Sequence, residues 1–392
     1  ITDSYNLGIA CYTLFQMITL SGIFSVVICR LKNEGMRKGA RIGIALYFGL
    51  FPTIVMFSLC SAKDGLFTGM VLLMVVLLRE LVSAPETFFE KKAHVVLLGS
   101  ASLMMILLRH NGFYAFLATC PLIIYFMRKK WKQIVPYTFL ILAACSIVKG
   151  PVMNAAEVEP GKLAFKLCIP LQQVGRVIAD GCNLTEEEIE TIEKINIISY
   201  VEENYQKHGA DPMFAWVNYG NAGYLEDNMG EYLDLWISLG MKYPGKYLQA
   251  FIDVTKGYWY PMDPGQVVNF GITENKNDLE TQPILDGPVI VKIHEILTKL
   301  YTIFPIYGIM YSMGAMFWLL ILLLAIAVRN NDYSVWAAGM PLVFLTLTLF
   351  IAVPLVADIR YGYPLLLAIP AMVAITFKNI QEDTNEKLYE RI

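Results

Sequence analysis

The chain has 392 residues, of which 56% are hydrophobic and only 17% are charged, and its formal net charge is −3. Soluble globular proteins average about 25% charged residues, so the composition excludes an ordinary soluble domain and indicates a membrane protein. Acidic residues outnumber basic ones about two to one in residues 149–298, which excludes a nucleic-acid partner because phosphate backbones require a basic surface.

Apolar stretches along the chain predict its membrane-spanning helices. A helix needs roughly 17–25 mainly apolar residues to cross a bilayer. The predicted fold class is therefore an all-α polytopic membrane protein with an inserted, mostly helical domain. The predicted spans are 8–29, 42–60, 66–83, 93–108, 113–127, 134–148, 302–328, 335–357 and 362–377. The predicted domains are a bundle of about six spans (1–148), the inserted domain (149–298), a bundle of about three spans (299–378) and a tail (379–392).

Basic connections indicate the orientation of these spans. "RLKNEGMRKGAR" (30–41) and "MRKKWK" (127–132) are rich in Lys and Arg, as cytoplasmic loops usually are. Because successive spans alternate in direction, the N-terminus and the segment 149–298 are then outside, and the tail from Lys378 is inside. The sequence thus predicts a multi-pass plasma-membrane protein whose large soluble segment is extracytoplasmic.

Three short connections on that predicted outer face carry charge beside glycine. They are "KDG" (63–65), "RHNG" (109–112) and "DIRYG" (358–362). Charged residues near a bilayer are costly and are usually retained for binding or chemistry, and glycine lets a backbone approach a ligand closely. We interpret the three as tight turns that form the floor of a site. The alternative is that each charge only marks a helix end at the lipid headgroups.

The inserted segment predicts helices of its own. Thr185 and Glu188 have the spacing of a capping box, and Tyr243-Pro244-Gly245 predicts a break between two helices. Gln172 and Arg176 lie four residues apart, so with Gln173 they suit an amphipathic helix lying over the membrane face. They could line an acceptor cleft or form a polar face in water. The aromatic run "GYWYP" (257–261) fits either a sugar platform or a domain core.

Several short motifs together resemble a known superfamily. "FPTIVMFSLCSAKDGLF", "LLRHNGFY", "IPLQQVGRV", "KGYWYP" and "DIRYGYP" are similar, in order and spacing, to elements of an uncharacterised branch of the bacterial polytopic GT-C glycosyltransferases. The resemblance covers residues 1–385, with His110 where that branch usually has Asn. It implies a GT-C-like helix bundle. Enzymes of this superfamily usually carry a catalytic Asp in the first outer loop, and the resemblance implies that this chain begins beyond that loop.

The resemblance implies transfer of a sugar from a polyprenyl-phosphate donor to a cell-envelope glycan or lipid acceptor on the outer face. Arginine suits the donor phosphate because its planar fork donates bidentate hydrogen bonds, and fixed cations stabilise charge that grows on a leaving phosphate. An acceptor hydroxyl needs a carboxylate base, and direct displacement predicts inversion. The residues assigned to the donor phosphate are Lys63, Arg109, His110, Arg360 and Tyr361. Those assigned as catalytic carboxylates are Asp64 and then Asp358. Those assigned to acceptor or sugar are Asn111, Gln172, Gln173, Arg176, Tyr258 and Trp259.

Other functions fit the same composition. A transporter or flippase of lipid-linked sugars is the main alternative, although no internal repeat or midplane charge supports it. A non-catalytic assembly protein and an O-antigen-ligase-like transferase also remain open. The predicted partners are the lipid-linked sugar, its acceptor and membrane lipids. No cofactor is assigned, and the sequence leaves open whether Mg²⁺ or Mn²⁺ assists.

Overall fold

A computed structural model describes residues 5–60, 62–158, 167–209, 217, 221–262, 287–302, 312–351 and 358–389. Apart from the isolated bridge between Gln206 and Gly209 and a bridge residue at Asp358, the regular structure of these ranges is helical. The first bundle contains α1 (Tyr5–Asn33), α2 (Lys38–Leu50), α3 (Pro52–Leu59), α4 (Lys63–Ser83), α5 (Pro85–Glu90), α6 (Lys92–Leu108), α7 (His110–Phe126), α8 (Trp131–Ile147) and α9 (Met153–Ala155). The middle unit contains α10 (Cys168–Ala179), α11 (Glu186–Glu193), α12 (Ile198–Asn204), α13 (Ala222–Asp227), α14 (Met229–Lys242) and α15 (Pro244–Trp259). The remaining helices are α16 (Pro288–Thr302), α17 (Met313–Arg329), α18 (Tyr333–Ile351) and α19 (Ile359–Tyr389).

Among the described residues, five helices are long and apolar enough to cross a membrane, and a sixth span arises if the bent pair α2 and α3 counts as one. Two further apolar helices, α6 and α17, are shorter. Each of the nine stretches predicted to span the membrane overlaps a described helix or the bent pair, but only five or six of them qualify by length and composition, and α7 is in neither the long nor the shorter group. The α2–α3 pair bends by 51° at Pro52, which lacks the backbone N–H needed to continue a helix. The chain is therefore an all-α protein with several candidate membrane spans.

Helix α4 is the centre of the bundle. It packs against α1, α6, α18 and α19, and its residues are buried on every face from Asp64 to Arg79 except at Met70. A helix apolar all round is expected where other helices surround it. By contrast, α1 and α8 leave large apolar side chains such as Phe15 and Phe139 exposed, as helices that face lipid do.

A network of ion pairs lies at the end of α4 remote from Asp64. Arg79 pairs with Asp332 at 3.6 Å and with Glu34 at 3.9 Å, and it donates to Ser334. Beside it, Glu80 contacts Arg30 and lies 3.0 Å from His94. The network of ion pairs therefore joins α1, α4, α6 and the start of α18. These contacts lie about 22–24 Å from Asp64 along a helix that rises about 1.5 Å per residue.

The middle unit has a separate hydrophobic core, built by α10, α11, α14 and α15. The predicted capping box is confirmed, since Glu188 N donates to Thr185 Oγ1 at 3.2 Å and Thr185 N donates to Glu188 at 2.7 Å. The predicted break is confirmed too, because α14 ends at Lys242 and α15 begins at Pro244. Helix α15 also packs on α17 and α18, so it connects the middle unit to the membrane bundle.

The segment predicted as a cytoplasmic tail (379–392) is helical as far as Tyr389. Helix α19 continues without interruption to Tyr389. Two prolines, Pro364 and Pro370, lie inside its apolar first half. The side of the membrane on which this segment lies stays a prediction.

Candidate functional site

The predicted charged turns are first turns of helices. Lys63, His110 and Ile359 each open a helix, and the side chains at these three starts meet at one end of the bundle. Backbone N–H groups at a helix start have no partner within the helix, and the helix dipole adds positive potential there. The sequence predicted that these segments converge, but not that each is a helix N-terminus.

Arg109 occupies a one-residue break between α6 and α7. Its backbone is extended (φ −144°, ψ 142°), while Leu108 before it and His110 after it are helical. A Cβ added at Gly112 would lie 2.2 Å from Met105 O, so glycine is required for so tight a reversal. The reversal turns the Arg109 side chain towards α4.

Arg109 and Asp64 form a buried ion pair. Arg109 Nε donates to Asp64 Oδ1 at 2.7 Å, and its Nη2 contacts the same oxygen. Their side chains are only 10% and 5% exposed. The guanidinium also lies 5.0 Å from the ring centroid of Tyr361 and 5.7 Å from that of Phe67. Asp64 therefore holds Arg109 in place and has little surface free for a substrate.

Arg360 is the accessible arginine of the cluster. Its side chain is 45% exposed, and its Nε lies 3.7 Å from Asp64 Oδ2. It donates to the hydroxyl of Tyr361 at 2.9 Å and stacks over that ring at 5.0 Å. Lys63 is also exposed. The accessible Arg360 therefore lies beside the buried pair, and the exposed Lys63 directly precedes Asp64 in the chain.

Asp358 is the less buried of the two carboxylates. Its Oδ1 accepts from Arg360 N at 2.8 Å, and its side chain is half-buried. Burial raises the pKa of Asp358, and the hydrogen bond and charge of Arg360 oppose this increase. A carboxylate with a raised pKa accepts a proton more readily, so Asp358 has the chemistry of a general base.

The remaining residues predicted in the first bundle lie beside this cluster in the sequence. His110 is exposed and Asn111 is half-buried, both in the first turn of α7. Their assignment to phosphate and acceptor stays a prediction.

Sequence reasoning missed Gln16, which orders the loop before α4. This fully buried side chain donates from Nε2 to the carbonyls of Phe57 (2.9 Å), Ser58 (3.1 Å) and Cys60 (2.7 Å). A Cβ on Gly65 would lie 3.1 Å from the Gln16 amide. A glutamine inside an apolar span was a usable signal, because buried amides need partners. Cys60, also missed, is exposed and within electrostatic range of Asp64 and Arg360.

Gln172, Gln173 and Arg176 are in the interior of the middle unit. Every residue from 171 to 178 is buried, so these side chains do not form a polar face in water, and their assignment to the acceptor stays a prediction. Gln172 donates to Gln206 O at 2.6 Å, and Gln173 accepts from Trp236 Nε1 at 2.8 Å. Arg176 is held by Asp180 at 2.8 Å and Asp253 at 3.0 Å. Their partners are side chains and carbonyls of the same unit.

Tyr258 and Trp259 end α15 close to the charged cluster. Tyr258 is fully buried against the bundle, with its ring centroid 6.4 Å from that of Phe350, and within electrostatic range of Asp358 and Arg360. Its ring therefore offers no open face to a sugar. Trp259 is half-buried, and its Nε1 donates to Thr255 at 3.3 Å.

No group of three or more His, Cys, Asp and Glu side chains suited to a metal ion occurs in the part of the chain that the structure describes. Comparison with curated proteins and with solved structures gives no match. The sequence model of one family, DUF6020, matches residues 1–390. With a match over nearly its whole length, the chain belongs to DUF6020, a family of unknown function.

Proposed function

We propose that this protein is an integral-membrane glycosyltransferase that uses a polyprenyl-phosphate sugar on the outer face of the membrane. The observation that carries the proposal is the cluster at the starts of α4, α7 and α19. It combines helix N-termini, two accessible cations and a half-buried carboxylate. Helix N-termini and arginine are both favourable for phosphate, and the motif resemblance to GT-C enzymes supports the same reaction.

The structure changes which residues we assign to each role. Arg360 and Lys63 contact the donor phosphate, because they are exposed whereas Arg109 is engaged with Asp64. Arg109 stacks on Tyr361 and so supports the ring over which Arg360 lies. Asp64 becomes a positioning residue, and Asp358 becomes the general base.

The proposed reaction is a single displacement. Asp358 takes the proton of the acceptor hydroxyl, and the oxygen attacks the anomeric carbon. The bond from that carbon to the phosphate oxygen breaks, and its electron pair leaves with the polyprenyl phosphate. Arg360, Lys63 and the helix N-termini stabilise the negative charge that grows on the phosphate. Attack from the opposite face inverts the anomeric configuration.

A transporter of lipid-linked sugars is the second candidate. The broken helix pair α2–α3 favours it, because transporters often use discontinuous helices. The absence of charge between Asp64 and Arg79 in the central helix opposes it, since transporters usually bind substrates near the midplane. We therefore favour transfer over transport.

The test is donor binding by the purified protein, measured with radiolabelled polyprenyl-phosphate hexoses. Arg360→Ala should weaken binding at least tenfold, whereas Arg128→Ala, which removes an arginine stacked on Tyr125 outside the site, should not. Bound donor should also slow maleimide labelling of Cys60 but not of Cys29, another exposed thiol. Unchanged binding in Arg360→Ala would exclude this phosphate site.

A transfer assay with membrane acceptors then separates the two candidates. The proposed enzyme releases polyprenyl phosphate and forms an inverted glycosidic bond, and Asp358→Asn binds donor but does not transfer. Donor that crosses a vesicle membrane intact, with no polyprenyl phosphate released, would instead establish the transporter.

A further inference from the structure

A basic patch lies at two turns of the bundle, one between α5 and α6 and the other between α7 and α8. Its six cations are Lys91, Lys92, Arg128, Lys129, Lys130 and Lys132. The same turns (84–92 and 127–132) contain two carboxylates, Glu86 and Glu90, so the patch is positive although the whole chain has a net charge of −3. All of the cations except Lys130 are exposed. A concentrated positive surface of this kind attracts anionic partners.

The two turns lie side by side. Lys130 Nζ lies 3.2 Å from Glu86 Oε1, which joins the turn before α8 to α5. One helical turn further into the bundle, the hydroxyl of Tyr137 donates to Val95 O at 2.8 Å and so joins α8 to α6. Of the six cations, Lys130 alone is in an ion pair within the part of the chain that the structure describes. The exposed cations of both turns therefore act as one surface.

The patch is at the end of the bundle remote from Asp64. The ring centroid of Phe126, at the end of α7, lies 5.8 Å from that of Tyr333 at the start of α18. The preceding residue, Asp332, lies 3.6 Å from Arg79 at the far end of α4. The patch and the proposed transfer site are thus at opposite ends of the same helices, and the inference does not depend on glycosyl transfer.

An apolar surface leads away from the patch along α8. The candidate membrane span that contains α8 begins at Arg128. Trp131, Val135 and Phe139 are 56%, 39% and 71% exposed, and their spacing of four residues places them along one face of the helix. Trp131 and the exposed Tyr125 flank the cations, and both residue types favour the level of the lipid headgroups. The cations therefore lie where the hydrocarbon layer ends.

We propose that this basic patch binds the headgroup of an anionic phospholipid, with the acyl chains of that lipid along the exposed face of α8. Lysine and arginine donate charge-assisted hydrogen bonds to phosphate oxygens, and clusters of about 4–8 such residues beside a membrane helix attract anionic lipid. The partner is a lipid and not an acidic protein, because the patch is continuous with the apolar surface of a membrane-spanning helix. A zwitterionic lipid lacks the net charge that the patch attracts.

The test measures how tightly the full chain, in detergent micelles, binds a phosphatidylglycerol that carries a fluorophore on one acyl chain. Two variants each remove three exposed cations from the same end of the bundle. The patch variant combines Lys92→Gln, Lys129→Gln and Lys132→Gln. The control variant combines Lys32→Gln, Arg37→Gln and Lys38→Gln. Unlabelled phosphatidylglycerol, phosphatidylcholine and inorganic phosphate compete for binding at one ionic strength, and thermal unfolding midpoints show whether both variants are folded.

Phosphatidylglycerol should displace the labelled lipid at a several-fold lower concentration than phosphatidylcholine. The patch variant should bind the labelled lipid at least about fivefold more weakly than the unsubstituted protein, because each Lys or Arg near the surface adds to the attraction for anionic lipid. The control variant should bind it as the unsubstituted protein does.

Three results would overturn the proposal. Equal competition by the two phospholipids would remove the preference for anionic lipid and favour an acidic protein as the partner. Unchanged binding in the patch variant, or equal losses in both variants, would show that the attraction does not belong to these two turns. Displacement by inorganic phosphate as effective as that by phosphatidylglycerol would show that the acyl chains contribute nothing and that the ligand is a free anion.

Discussion

Asp64 accepts a hydrogen bond from Arg109 Nε at 2.7 Å, across the gap between the first turn of α4 and the break that precedes α7. The same carboxylate lies 3.7 Å from Arg360 Nε at the start of α19. One carboxylate thus contacts cations from two other segments that are distant in sequence. The position of the accessible Arg360 depends on this buried anion.

Replacing Asp64 by Asn should destabilise the protein. The change leaves the buried guanidinium of Arg109 without its counter-charge, and breaking a buried pair in this way costs about 3–5 kcal/mol. Thermal unfolding in detergent micelles measures the effect as a lower midpoint. Replacing Glu86, which pairs with Lys130 at the exposed surface, should leave the midpoint unchanged. If the Asp64→Asn midpoint matched the unsubstituted one, the pair would not hold the site together.

The pH dependence of the transfer rate should reflect the protonation state of Asp358. Because burial raises its pKa, the protonated form persists to higher pH than for an ordinary Asp at 3.8, and a protonated carboxyl cannot act as a base. The rate should therefore rise with pH through an apparent pKa above 3.8 and then level. The measurement is initial transfer rate against pH at saturating donor. A rate that is constant down to pH 4 would remove Asp358 as the base, and donor binding measured in parallel shows whether the site is still intact.

Replacing Arg79 by Ala should destabilise the bundle and leave the donor site unchanged. The substitution removes the buried guanidinium that lies beside Asp332 and Glu34, at a cost of up to about 3–5 kcal/mol. The contacts lie about 22 Å from Asp64 along α4, so donor affinity per folded molecule should stay the same. Unfolding midpoint and donor binding are measured on one preparation. A weakened affinity in the folded fraction would show that the two ends of α4 are coupled.

Replacing Gln173 by Leu should affect stability and not transfer. Trp236 Nε1 would lose its acceptor at 2.8 Å, and a buried donor without a partner costs about 1–3 kcal/mol. The unfolding midpoint should fall, while the acceptor concentration for half-maximal rate stays constant. Glu187→Ala, an exposed change in α11, serves as the matched control. A several-fold increase in the acceptor concentration for half-maximal rate would instead support Gln173 as an acceptor-binding residue, as predicted from the sequence.

Composition and periodicity determined the membrane class, the approximate positions of the spans, and the local features of the middle unit. The capping box at Thr185 and the helix break before Pro244 could be predicted because each depends on residues within a few positions of one another. The charge at residues 63–64, 109 and 358–360 could also be noticed, because charge is rare next to apolar spans.

The roles within that charged set depended on tertiary structure. Asp64 and Asp358 look alike in the sequence, yet packing buries Asp64 against Arg109 and leaves Asp358 half-buried. Gln172, Gln173 and Arg176 have the spacing of a surface helix, but their unit surrounds them with partners. The local sequence pattern predicts only the structure that a segment favours by itself. Burial and pairing depend on which distant segments pack against it, and only the folded chain sets those contacts.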